Sequence, residues 1–271
     1  MNFFATLPAR SCRIARAALL AAALAASGAL ARPAAAQDAK AVAPDDVSMV
    51  KRVFKTGDVN HYRVELKANI GGVDQTVSLQ FKETTKDAKP SGEFTLVNQF
   101  ESASIGGMDI LQAVPIVTVM RDTAGKLSNK TEGGLDAVAS QISGLMEGIS
   151  TLQDAYVPKT HVKMGDKWSV LVTTSSQGGS PTKSKGEATL VGTEIVGGVK
   201  SLRLKVTSDV DNKDADVKAH SDSVLNVDPA TGKLLKMVAK VDGMAGGMKL
   251  VQEMELSLVP PDKATAASGG K

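Results

Sequence analysis

The chain is poor in the residues that carry most enzyme chemistry. In 271 residues it has one cysteine, three histidines, six phenylalanines, two tyrosines and one tryptophan. Cys12 lies in the N-terminal leader, so the chain beyond the leader can form no disulfide, thiolate metal site or thiol nucleophile of its own. His61, His161 and His220 have no other His, Cys or carboxylate at metal-ligand spacing on a predicted helix. There is no G-x-S-x-G nucleophile elbow and no S-x-x-K beside a plausible partner. Gly178-Gly179-Ser180 and Gly197-Gly198 read as hairpin turns, because no helix N-terminus comes after either to hold a phosphate. Asp209, Asp211, Asp214 and Asp216 lack the central glycine and closing glutamate of a calcium loop, and Lys213 and Lys218 interleave with them. A solvated hairpin tip is expected there. These absences predict a non-catalytic protein with no cofactor and no metal.

Long apolar runs are also missing. The longest, Ala17–Leu30, falls short of the ~20 residues that span a bilayer. It sits between a basic segment (Arg10, Arg13, Arg16) and the small-residue site Ala34-Ala35-Ala36, the three parts of a cleavable export signal. Cleavage is expected before Gln37. Cys12 precedes the apolar run instead of coming after it, so no lipid anchor and no permanent membrane anchor is expected. Loss of this leader removes four arginines and no acidic residue, and takes the formal charge from +3 to −1. The basic character therefore belongs to the leader, and with it goes the electrostatic case for nucleic acid.

The rest of the chain is dominated by a period of two. Tyr62, Val64, Leu66, Ala68 and Ile70 alternate with polar residues, Gly71-Gly72 breaks the run, and Val77, Leu79 and Phe81 resume it. The same alternation recurs at Leu202–Val206, at Leu235–Val241, and through Met248, Leu250, Met254, Leu256 and Leu258. One apolar and one charged face per strand predicts an antiparallel sheet with a solvated side. A short helix is expected over Asp46–Lys55, and Pro260–Lys271 reads as a disordered tail. A single segment steps by three and four instead: Leu135, Val138, Ile142, Leu145, Ile149 and Leu152 form one stripe of an amphipathic helix over 134–153. Gly144 and Gly148 are expected on its outer faces. The helix is read either as a plug over the sheet or as a movable lid above a cavity.

Two segments echo one another at an offset of 106 residues. Tyr62-Arg63-Val64-Glu65-Leu66 matches Trp168-Ser169-Val170-Leu171-Val172, and the turn at Asp122–Gly125 matches that at Asp228–Gly232, with one residue inserted before the second glycine. In each, an Asp opens a tight turn and a Gly closes it, which points to a duplicated half.

The segment Tyr156–Trp168, with its Val-x-x-Gly-Asp-x-Trp pattern, and the turn Asp228–Leu234 resemble segments in families of uncharacterised exported bacterial β proteins. Those families are similar in outline to the periplasmic lipoprotein carriers of the LolA and LolB type. The resemblance covers residues 60–258 and is specific only at those two motifs. It implies an incomplete antiparallel barrel with helices in its mouth, and acyl chains held inside. It transfers no ligand residue, and the missing anchor departs from the LolB pattern. The residues themselves favour a structural role for Trp168, as a large apolar anchor at a strand start.

The sequence thus predicts an α+β, predominantly antiparallel fold: a strongly curved sheet or incomplete barrel from two repeats, with one long amphipathic helix packed on it. The segments are a signal peptide (1–36), an N-terminal segment with a short helix (37–59), a first β half (60–133), the helix and its connection (134–158), a second β half (159–259) and a tail (260–271). The expected function is extracytoplasmic handling of an apolar ligand, such as a lipid or lipoprotein acyl chain, or of an apolar segment of an envelope protein. The alternative is an envelope scaffold or protein-interaction module with a solid core. The candidate ligand-binding residues are Leu135, Val138, Ile142, Leu145, Met146 and Ile149, and the frequent methionines suit an adaptable apolar surface. No feature of the sequence specifies an oligomeric state.

N-terminal sequencing of the natively produced protein should read from Gln37. An intact Met1, or a lipid on Cys12, would overturn the export reading.

Overall fold

A computed structural model describes residues 50, 52–158, 160–174, 182–212 and 216–260. The alternating segments form twelve strands: β1 (Val59–Ile70), β2 (Val73–Ala88), β3 (Phe94–Ile105), β4 (Met108–Asp109), β5 (Ile116–Arg121), β6 (Leu127–Glu132), β7 (Lys167–Thr174), β8 (Thr182–Val196), β9 (Val199–Asn212), β10 (Val217–Val227), β11 (Leu234–Ala245) and β12 (Met248–Val259). A 3₁₀ turn covers Leu111–Ala113, and a single α-helix among the described residues, α1 (Asp136–Ala155), joins β6 to β7.

All strands lie in one antiparallel sheet of order β6-β5-β3-β2-β1-β12-β11-β10-β9-β8-β7, with β4 paired to β3. Most strands adjacent in sequence pair, apart from β4 with β5 and β6 with β7, and at the centre the first and last strands meet, β1 pairing with β12 from His61↔Val259 to Ile70↔Leu250. The path ends at β6 and β7, which do not pair with each other. Helix α1 spans the connection and packs on β5, β6 and β7.

One face of the sheet is the core. Tyr62, Val64, Leu66, Ala68 and Ile70 are buried, as are Val77, Leu79 and Phe81, and the matching residues of β9, β11 and β12. The opposite face carries ion pairs such as Lys236–Glu255 at 3.0 Å, Lys167–Glu187 at 2.7 Å and Lys240–Glu253. Two glycines let neighbouring strands approach closely. A Cβ on Gly186 would lie 2.2 Å from the Thr207 carbonyl oxygen, and one on Gly243 would lie 2.3 Å from that of Lys218.

The helix expected over Asp46–Lys55 is not formed in its second half; residues 46–49 and 51 lie outside the described residues. Residues 52–58 instead run as a strap across the end of the sheet. Val53 N–H donates to the Thr231 carbonyl at 2.7 Å and Gly57 N–H to that of Thr85 at 2.8 Å. Arg52 donates to both carboxylate oxygens of Glu83, at 3.1 and 3.3 Å, and stands over the Phe54 ring at 4.4 Å. Asn60 donates to the same carboxylate, and Phe54 packs on Phe94 with ring centroids 4.2 Å apart. The cation is thus held by charge, ring face and sheet together.

Two expectations about the halves and the helix fail. In a meander any two halves run in the same strand order, so order lends the duplication no support. The paired positions also differ: Tyr62 is buried on a central strand, whereas Trp168 is half-buried on the edge strand β7. The turns at Asp122 and Asp228 do form; Ala124 and Ala230 N–H each donate to the opening aspartate at 2.9 Å. Nor is α1 the two-faced amphipathic element expected. Ser143, Gly148 and Ser150 are buried along with Ile142, Leu145, Met146 and Ile149, so contact wraps more of the helix than one stripe. The sheet supplies neighbours on two sides, from both of its ends, which a single stripe does not anticipate.

Glu83→Ala leaves the Arg52 guanidinium buried without its counter-charge and should destabilise the protein by roughly 3–5 kcal/mol in denaturant unfolding. The double variant Arg52→Met/Glu83→Leu should recover most of that loss, because neither charge is then buried alone.

Candidate functional site

The register of the strands lays the inner face out in rows. One row, next to the edge of the sheet that carries the β1–β2 and β11–β12 turns, runs Gly186, Ser208, Ser221, Val241, Gln252, Ala68 across β8 to β12 and β1. The next row inward runs Ala188, Val206, Ser223, Ala239, Met254, Leu66. The third is Leu190, Leu204, Leu225, Met237, Leu256, Val64. Side chains grow from small and polar to large and aliphatic along the same face. Ser184 stands one position beyond Gly186 on that face and pairs with Val210.

The polar members are as buried as the aliphatic ones. Gln252 and Ser221 are 0 % exposed and Ser223 is 1 % exposed. Neither the Gln252 amide oxygen nor its nitrogen has a hydrogen-bond partner among the described residues, and the same holds for the hydroxyls of Ser184, Ser221 and Ser223. A buried polar group left so costs roughly 1–3 kcal/mol relative to one that is paired or replaced by an apolar side chain. Natural interiors satisfy such groups, by protein partners, ordered water or a ligand.

Tyr156 reaches this region from the segment after α1. Burial raises the pKa of its hydroxyl, and the interaction with the Ser208 side chain opposes that rise. At the far end of the same face, burial raises the Tyr62 pKa; the Glu83 carboxylate adds to the rise and Arg52 opposes it. Both phenols stay neutral throughout the physiological range.

The candidate residues of the helix divide. Ile142, Leu145, Met146 and Ile149 are buried and join the sheet's core in one continuous cluster. Val138 packs on that cluster half-buried, and Leu135 precedes the helix at 45 % exposed. The side chain of Leu152 lies outside the described residues. The methionines also divide. Met146, Met237 and Met254 are core, whereas Met108, Met244 and Met248 are exposed beside the Gly106-Gly107 and Gly246-Gly247 turns. Pattern reading missed the Gln252 and serine cluster. The signal was present: Gln252 sits between Leu250 and Met254 in a register that is otherwise apolar, as Ser208 does between Val206 and Val210.

The histidines stand apart from it. His61 pairs with Glu101 at 3.0 Å and His220 with Asp209 at 2.7 Å, both at the surface, and His161 is exposed. Among the described residues no three His, Cys, Asp or Glu side chains are grouped to hold a metal. Asp214 and the turn at Gly178–Ser180 lie outside the described residues. Shallow pockets open on the charged face, one of about 280 Å³ beside Lys67, Asn69, Asp74 and Glu253.

No family model matches the chain. No curated protein matches it either. Among solved structures it is similar to the hypothetical lipoprotein YmcC of Escherichia coli, at 10% identity and a TM-score of 0.33, over 78% of this chain and 91% of that one. It is also similar to an exported protein of YmcC-like fold from Bacteroides fragilis, at 8% identity and a TM-score of 0.31, over 79% and 100% of the two chains. A third is DynF from the dynemicin biosynthesis pathway of Micromonospora chersina, at 8% identity and a TM-score of 0.21, over 88% and 97%. None of these three carries the name of a LolA- or LolB-type carrier.

If Gln252 serves no structural hydrogen bond, replacing it should not weaken the fold. Gln252→Leu should leave the melting temperature unchanged or raise it by about 2–4 °C per kcal/mol gained. A clear fall in thermal unfolding would assign the amide a structural partner instead.

Proposed function

We propose that this is a non-catalytic extracytoplasmic protein that holds the apolar part of an amphiphile against the inner face of its curved sheet, beneath α1. The observation that carries the reading is the cluster of fully buried polar groups at Ser221, Ser223 and Gln252, without hydrogen-bond partners among the described residues. A protein selected only for a solid core gains stability by replacing such groups with alanine, valine or leucine. Their presence on a largely apolar face supports an occupant with both polar and apolar parts. The export leader supports a location outside the cytoplasm, and the apolar face supports a lipid or an acylated molecule as the occupant. An incomplete barrel suits the same reading, since β6 and β7 are not paired and α1 packs on both.

A second reading, a scaffold without ligand, is favoured by the continuity of the core from Ile142 and Leu145 into the strands. Thermal unfolding separates the two. Under the first, N-phenyl-1-naphthylamine should bind saturably, and a long-chain lipid at 100 times its Kd should raise stability by about 2.7 kcal/mol. Leu145→Ala, bordering the ligand space, should then cost less than the roughly 2–5 kcal/mol of a closed core. A loss within that range, with no probe binding and no lipid-induced shift, would leave the scaffold.

A further inference from the structure

We infer that the polar group of the bound amphiphile is uncharged, an ester, amide or hydroxyl, and that it seats on Gln252, Ser221 and Ser223 with its chain directed toward Leu204, Leu225 and Leu256. This rests on the proposed ligand-binding function and specifies its ligand.

The chemistry of the lining carries the inference. A serine hydroxyl both donates and accepts, and a glutamine amide offers two donors and an acceptor. Together they complement a neutral group with mixed hydrogen-bonding capacity. An ionised head would be stripped of water there, at a cost of several kcal/mol that only an opposite charge offsets. The strands that form the row supply none on its side of the sheet. The ionisable residues that flank this row on its own strands, Asp209, His220, Asp222, Lys240, Asp242, Glu253 and Lys67, alternate with the inner-face residues and so belong to the opposite face. The buried ion pair Arg52–Glu83 satisfies itself at the far end of the sheet.

The direction of the chain is set by the rows. From Gln252 to Leu256 is four residues on one strand, about 13 Å, over which the lining passes to leucine, methionine and valine.

The experiment is displacement of N-phenyl-1-naphthylamine from the purified protein at pH 8 by three ligands that share one eighteen-carbon chain: 1-monooleoylglycerol, oleate and oleylamine. The neutral ester should displace the probe at a concentration at least about tenfold below either charged ligand. Gln252→Leu should keep probe binding but bring the three within about twofold of one another. Ser223→Ala, a smaller change, should narrow the gap in the same direction. Equal potency of the three on the wild-type protein would overturn the inference while leaving apolar binding intact. So would a preference for the ester that survives both substitutions. If the probe does not bind the wild-type protein at all, the proposed function falls, and this inference with it.

Discussion

A sheet that does not close leaves an apolar inner face and two unpaired ends, and covering that face is the constraint that organises the molecule. The strands bury their leucines, valines and methionines on one side only. Helix α1 answers at the gap, packed on β5, β6 and β7, and the strap at residues 52–58 answers at one end, pinned by Arg52 and Glu83. Neither element has much intrinsic stability. The helix contains Gly144 and Gly148, each worth about 1 kcal/mol less than alanine in a helix interior, so tertiary contact holds it in place. The strap has no regular structure and depends on its ion pair, the contact of Phe54 with Phe94 and its hydrogen bonds to Thr231 and Thr85.

Much of this was legible in the sequence because the inner and outer faces obey a period of two. Tyr62–Ile70, Val77–Phe81 and Leu250–Leu258 form strands with the alternation expected of them, whereas Met248 is exposed at the strand's start. The turns at Asp122 and Asp228 were equally readable, since an aspartate side chain bonding two residues ahead is a local device. Other features are not local. The strap stands where the second half of a helix was expected, and there Arg52 finds Glu83, thirty-one residues away. The buried serines of α1 cannot be read from a stripe of leucines, because burial there is decided by which strands stand on either side. The apparent duplication dissolves for a related reason: a short sequence echo fixes a hairpin's turn, not the place of its strand in the sheet.

The candidate site went unseen from sequence for a physical reason. Reading alternation rewards apolar residues in register and passes over the polar ones among them. Gln252 breaks the run from Leu250 to Leu258, and only strand pairing shows that Ser221 and Ser208 stand in the same row on neighbouring strands. A polar residue in an apolar register is therefore worth marking in any β protein before its structure is known.

The pairing of β1 with β12 has a consequence for the life history of the chain. His61 finds its partner in Val259, so the central ladder of the sheet joins the two ends of the folded region. Each half can assemble its own adjacent hairpins early, from local contacts. The inner strand β1 nevertheless keeps one edge open until the last strand has been synthesised and delivered. Such a fold cannot be completed on a partly emerged chain.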